Sequence, residues 1–197
     1  MTPKKPRLLA FAGSLRKGSL NKKAVAAAAE AARAAGAEVT LVDLADFAMP
    51  VYDGDLEERE GLPEGARKLK ALMKSHDGFL ISTPEYNSTI PGAFKNALDW
   101  ASRSEPGEKP LAAYGGKTAG LLSASPGALG GIRSLAVLRA MLENIGVLVV
   151  PQQVAISAAH EAFADDGSLK DARKQAAVSA LAARLVEVTA KLGAGTA

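Results

Sequence analysis

The sequence contains no cysteine, which excludes disulfides, thiolate nucleophiles and cysteine-ligated zinc or iron–sulfur centres. That suits a reducing compartment, and a cytoplasmic protein is the expectation. Aromatic residues are scarce at 5%, and alanine dominates a hydrophobic fraction of 48%, so alanine-rich helices are expected around strands carrying the larger aliphatic side chains. Long apolar runs are missing as well. The first, residues 8–12, stops at Gly13 and Ser14, far short of the roughly 20 apolar residues a membrane span needs. After the short basic segment 1–6 it is also too brief for a signal peptide. Charge of one sign is lacking too: the net charge is +3, with basic and acidic residues interspersed. No nucleic-acid partner and no membrane-binding face are expected. No metal site is expected either. The two histidines, His76 and His160, fall away from the chemically loaded segments and suit packing or surface roles.

What is present alternates between two periods. Residues 7–13, 38–44, 77–83, 117–124 and 147–150 read as strands. Residues 21–35, 63–75, 91–103, 132–145 and 169–192 read as helices, with glycine or proline at several ends. Residues 45–61 and 104–116 read as polar connections, and a Gly/Ala tail follows the last helix. Strands alternating with helices pair in parallel, because parallel neighbours need crossovers. The expected fold class is α/β: a three-layer doubly wound sandwich with a five-stranded parallel sheet in flavodoxin-like order 2-1-3-4-5. One domain is expected over residues 1–197, with its core at about 7–192. A ligand then belongs outside the carboxyl ends of strands 1, 3 and 4.

Three loops converge on that edge. The first runs from Gly13 to Asn21 and offers Ser14, Arg16, Ser19 and Asn21 between a buried strand and a helix N-terminus. Unpaired amides and the positive end of the helix dipole favour an anion there, and arginine adds a charge-assisted pair. Helix capping explains one of these residues but not the set, so a phosphate site is the favoured reading. The loop is not a Gly-x-Gly-x-x-Gly fingerprint. Gly116-Lys117-Thr118 is not a P-loop either, since Leu111 stands where that motif needs glycine and a strand follows. The second loop, Pro84-Glu85-Tyr86-Asn87-Ser88, suits a flat ring with polar edges; a plain turn accounts for it equally well. The third, Ser125-Pro126-Gly127 with Gly130 and Gly131, allows close backbone approach. A glycine-rich strand–helix turn explains that loop equally well.

Together these residues resemble the NADPH-dependent FMN reductase family, which includes quinone, chromate and azo-dye reductases. Gly13, Ser14, Arg16, Ser19 and Asn21 match its phosphate signature, Pro84 to Asn87 its flavin loop, and Ser125, Gly130, Gly131 and Arg133 its third segment. Pro91-Gly92 and the run from Lys95 to Trp100 match as well. The resemblance implies bound FMN and NAD(P)H as co-substrate. The phosphate would lie against Ser14, Arg16, Ser19, Leu20 and Asn21, and the ring against Pro84, Glu85, Tyr86, Asn87 and Ser88. Ser125, Pro126 and Gly127 would sit near the ring or ribityl chain. It implies a hydride passed from NAD(P)H to the flavin and two electrons then passed to a quinone, azo compound, metal oxyanion or free flavin. No side chain is required as acid or base, so no catalytic residue is named. It also implies a homodimer or homotetramer, with Trp100, Leu98 and Phe94 as interface candidates, although Phe94 reads better as core. Two alternatives stand beside this reading. One is an FMN-binding electron carrier or redox sensor; the other is a flavin-free transferase using Glu85 as nucleophile.

Overall fold

The structure, a computed structural model, describes residues 5–194. Most of the basic N-terminal segment (1–4) and the end of the tail (195–197) lie outside the described residues. Five strands, β1 (Arg7–Ala12), β2 (Glu38–Val42), β3 (Gly78–Ser82), β4 (Thr118–Ala124) and β5 (Leu148–Ile156), form one parallel sheet in the order β2-β1-β3-β4-β5. This is the expected flavodoxin-like topology.

Successive side chains of a strand point to opposite faces, and the central strands use both. Leu8, Ala10, Leu80 and Leu122 pack against α1 (Leu20–Ala34) and α6 (Ala172–Ala194). Leu9, Phe11, Phe79, Ile81 and Leu121 pack against α3 (Glu64–Ser75), α4 (Gly92–Ser102) and α5 (Ile132–Asn144). Burial on both faces is why these strands carry continuous aliphatic runs. No helix among the described residues is long and apolar enough to cross a membrane.

Four expectations need correction. A seven-residue helix, α2 (Gly54–Glu60), stands inside the segment read as polar loop. Its sequence has no apolar periodicity; it is held by Asp53, whose carboxylate accepts from the Asp55 amide at 2.9 Å, and by Glu57, which accepts from Tyr52 Oη at 2.9 Å and Arg103 Nε at 2.8 Å. The fifth strand runs on to Ile156, through Pro151. The register jumps from Ala119 opposite Val149 to Leu121 opposite Gln153, so extra β5 residues bulge out at the proline, as an edge strand permits. The last helix begins at Ala172 rather than Leu169. Leu169 bridges to Phe163, while the Asp171 carboxylate caps the helix through the Arg173 and Lys174 amides at 2.8 and 3.1 Å. Trp100 and Leu98 are core residues, as Phe94 is: Trp100 is fully buried and donates from Nε1 to the Pro50 carbonyl at 2.8 Å.

The connection between α4 and β4 is tied down by charge. Lys70, only 2% exposed, pairs with Glu105 at 3.3 Å and with Glu108, which Lys74 also contacts. Hydrogen bonds from Lys70 and then Lys74 pull the Glu108 carboxyl down to about 2. A depressed carboxyl contributes stability above its ordinary value and loses it as the pH falls toward 2. Glu108→Gln should lower the thermal midpoint by roughly 4–8 °C at neutral pH, a charged hydrogen bond being worth about 2 kcal/mol. The gap between wild type and variant should close near pH 2 in melts followed by circular dichroism. A gap that persists there would mean packing, not charge.

Candidate functional site

The site is built where β1, β3 and β4 end. Gly13 is required by packing: a Cβ there would lie 2.4 Å from the Phe94 ring, so the chain turns tightly over the first turn of α4. Ser14 follows, buried, its Oγ accepting from the Arg16 amide at 3.4 Å. Ser19 caps α1, its Oγ accepting from the Asn21 amide at 3.2 Å. Among the described residues the Gly18, Ser19 and Leu20 amides make no hydrogen bond, and the Arg16 guanidinium makes no ion pair. A helix N-terminus with free amides and an unpaired arginine beside it is a site for an anion.

Asn21 faces inward rather than toward the loop. Its Oδ1 accepts from Ser82 Oγ at 2.8 Å and from the Ala124 amide at 2.9 Å, and its Nδ2 donates to the Ala124 carbonyl at 2.8 Å. One buried side chain thus fastens the start of α1 to the ends of β3 and β4.

The second loop is a two-residue hairpin. Tyr86 and Thr89 exchange backbone hydrogen bonds at 2.9 and 3.1 Å around Asn87 and Ser88, with φ of 51° and 65°. Positive φ at both central positions is the twist that matches flanking strands. The turn holds the Tyr86 ring out, 48% exposed, while Pro84 is buried beneath it. Glu85 turns the other way. Its carboxylate, 8% exposed, accepts from Arg133 Nε at 2.6 Å and from the Arg133 amide at 3.1 Å. The N-cap of α5, Gly131, has no side chain to offer, so Glu85 supplies the missing acceptor and complements the helix dipole. The Arg133 hydrogen bond holds the Glu85 carboxyl below its usual range, and both oxygens are engaged. Such a carboxylate positions a loop; it is not poised as a nucleophile. Glu85→Gln should speed amide exchange of Arg133 and Ser134 about tenfold, measured by hydrogen–deuterium exchange, as a charge-assisted bond is lost.

The third loop is anchored to the chain after β5: the Ser125 amide donates to Ile156 O and its carbonyl accepts from the Ala159 amide, both at 3.0 Å. Ser125 Oγ accepts from the Gly127 amide at 3.2 Å. Gly130 and Gly131 both have positive φ, and a Cβ on Gly130 would meet the β5 backbone at 2.9 Å.

The three loops enclose a cavity of about 350 Å³, the size range of small-molecule sites. Ser14, Arg16, Ser19, Leu20 and Asn21 line it from the first loop, with Gly18 added. Pro84, Glu85 and Tyr86 line it from the second, Ser125 and Pro126 from the third. Asn87, Ser88 and Gly127 stand beside it without lining it. Sequence reading missed Ser82 and the Glu85–Arg133 pair; partners 61 and 48 residues apart leave no local signal. His76 is buried against Thr40 and Leu72, and His160 is exposed. Among the described residues no cluster of histidine and carboxylate side chains fits a metal ion.

Comparison with known proteins places the chain in a family. The profile of the family described as NADPH-dependent FMN reductase matches residues 6–161. A quinone reductase of Escherichia coli (strain K12) is 36% identical over 146 residues, 74% of each chain. An NADPH azoreductase of Bacillus sp. (strain OY1-2) is 36% identical over 137 residues, 70% of each chain. Among solved structures, the flavoenzyme NAD(P)H:(acceptor) oxidoreductase of Paracoccus denitrificans superposes with a TM-score of 0.81 at 30% identity. That match covers 94% of this chain and 98% of the other.

Proposed function

The chain belongs to the NADPH-dependent FMN reductase family, and from that membership we propose that it is an FMN-dependent NAD(P)H oxidoreductase passing two electrons to a quinone or azo compound. The observation that carries this reading is the donor set at the start of α1: Arg16 without an ion pair and three amides without partners among the described residues, all opening on one cavity. The set fits a phosphate-bearing cofactor, and Glu85, the one carboxylate among the described residues that line the cavity, is already neutralised by Arg133. When bound, FMN supplies the redox chemistry.

The chain's own residues bind and orient. Arg16, the Ser14 and Ser19 hydroxyls and the Leu20 amide would hold the phosphate, while Asn21 keeps the helix terminus in place. Pro84 and Tyr86 would receive the ring, the hairpin at Asn87 and Ser88 setting the Tyr86 angle. Glu85 locks that loop to α5, and Ser125, Pro126 and Gly127 close the third side. Free flavins and metal oxyanions such as chromate are further acceptors of an exposed flavin. The described residues 5–194 act as a single domain, working in the cytoplasm, where the nicotinamide reductant is made. It pairs as a homodimer, or as two such pairs, through the apolar side chains that α5 and its approach leave at the surface: Leu129, Ile132 and Val137.

The test is a visible spectrum followed by anaerobic addition of NADPH and of NADH. Flavin bands that bleach within seconds are expected. A protein colourless even after incubation with FMN would overturn the reading. Bands that persist under both nicotinamides would leave an electron carrier.

A further inference from the structure

A second cavity opens on the same sheet edge, across the first loop from the phosphate site. It measures about 290 Å³ and lies between Leu15, the segment after β2 and the first turns of α4. Leu44, Phe47 and Met49 form one wall, Ala93 and Ala97 the other. The only polar side chain in the lining is Asn96, and its amide is largely committed: Oδ1 accepts from the Tyr52 amide at 2.8 Å and Nδ2 donates to Pro50 O at 2.9 Å. The cavity therefore presents mostly carbon, with the second Nδ2 hydrogen of Asn96 as the one uncommitted side-chain donor in its lining. Its walls are also fixed in advance, since Asn96 and Trp100 both pin Pro50, and with it the chain carrying Phe47 and Met49, to α4.

Leu15 joins the two cavities. It stands between Ser14 and Arg16, which line the phosphate cavity, yet its own side chain faces the apolar one and is 50% exposed. Leu15 thus adds one more aliphatic surface to the mouth of an already apolar, preformed cavity, the kind of site that takes an apolar ligand. The volume is too small for a protein segment and suits one or two fused rings without charge.

We propose that this cavity is the subsite for the uncharged ring system of the electron acceptor, so that the enzyme favours apolar quinones over small charged oxidants. The inference rests on the reductase reading, but its test does not depend on turnover. Trp100 is the sole tryptophan and bonds the same Pro50 that holds the cavity wall. Titrating oxidised, flavin-loaded protein with 2-methyl-1,4-naphthoquinone should quench its fluorescence saturably. Ala93→Leu and Ala48→Leu, both at exposed positions, each place a larger side chain at the cavity. Each should weaken quinone binding about tenfold, as one misplaced methylene does in an apolar pocket. Bleaching by NAD(P)H and reoxidation by hexacyanoferrate(III) should stay unchanged. Quinone binding that is absent in the wild type, or equal in both variants and wild type, overturns the subsite. So does an equal loss with hexacyanoferrate, or a changed sedimentation coefficient in place of weakened binding. Failure of the flavin to bleach with NAD(P)H would instead overturn the reductase reading and leave the quinone titration interpretable.

Discussion

Arg16→Ala is expected to weaken FMN binding about tenfold to a hundredfold, the loss of one charge-assisted hydrogen bond at about 1.5–3 kcal/mol. The residue is exposed and makes no ion pair among the described residues, so its removal leaves nothing unpaired in the protein. The fold should keep its melting temperature without ligand, and the whole effect should appear in the titration of apoprotein with FMN. Arg16→Lys should recover part of the loss, because a lysine keeps the charge but not the planar fork that matches a phosphate. Affinity in the wild type should also fall below about pH 6, where a phosphate monoester takes up its second proton, and with added salt. Equal affinity in Arg16→Ala and wild type would remove the phosphate site from the start of α1.

The larger structural effect belongs to Asn21→Ala. Truncation removes the common partner of Ser82 Oγ and of the Ala124 amide and carbonyl, all buried. An orphaned buried polar group costs about 1–3 kcal/mol, so a loss of about 3 kcal/mol or more is expected. For a chain of this size that is a drop of roughly 6–12 °C in the thermal midpoint. FMN affinity should fall as well, because the amides that face the cavity sit on the helix turn Asn21 fixes. Asn21→Asp separates the roles: the carboxylate still accepts from Ser82 and Ala124 N, but it sets a buried charge against the Ala124 carbonyl and close to the phosphate. It should lose at least as much stability as the alanine variant and more FMN affinity. A protein with unchanged melting in both variants would mean that the α1 start is held by packing alone.

These two residues also mark how far the sequence could be read. Arg16 was legible because its role follows from neighbours in the chain: two glycines, two serines and a helix start. Asn21 carries the same local signal, yet its side chain turns inward toward partners 61 and 103 residues away, and no spacing rule carries that information. The strands that are buried on both faces, β1, β3 and β4, stood out as aliphatic runs closed by glycine, proline or serine. At β5 the run is broken by Pro151-Gln152-Gln153, and the strand survives there only because it is an edge with a bulge. For α2, with a single apolar residue at Leu56, tertiary contacts from Tyr52 and Arg103 replace the periodicity a helix normally shows. Trp100 stood as an interface candidate implied by the resemblance; its burial depends on the Pro50 segment, which comes from a stretch that reads as a polar connection and gives no local sign of covering it. The three loops themselves were found from composition; the Glu85–Arg133 clasp that joins two of them needed coordinates.

The bulge at Pro151 has a consequence for the protein in crowded solution. β5 is an outer strand of a parallel sheet, and a straight outer strand offers a row of unpaired amides and carbonyls to any extended chain that meets it. Here the proline removes one donor, the register jump bends the strand, and Arg139 takes the Val150 carbonyl at 2.9 Å. The sheet therefore cannot grow by one strand on this side without first expelling an arginine and straightening a kink. Pro151→Val, with Arg139→Ala, should turn this boundary into a template, and the double variant should form thioflavin-positive aggregates under conditions that leave the wild type clear.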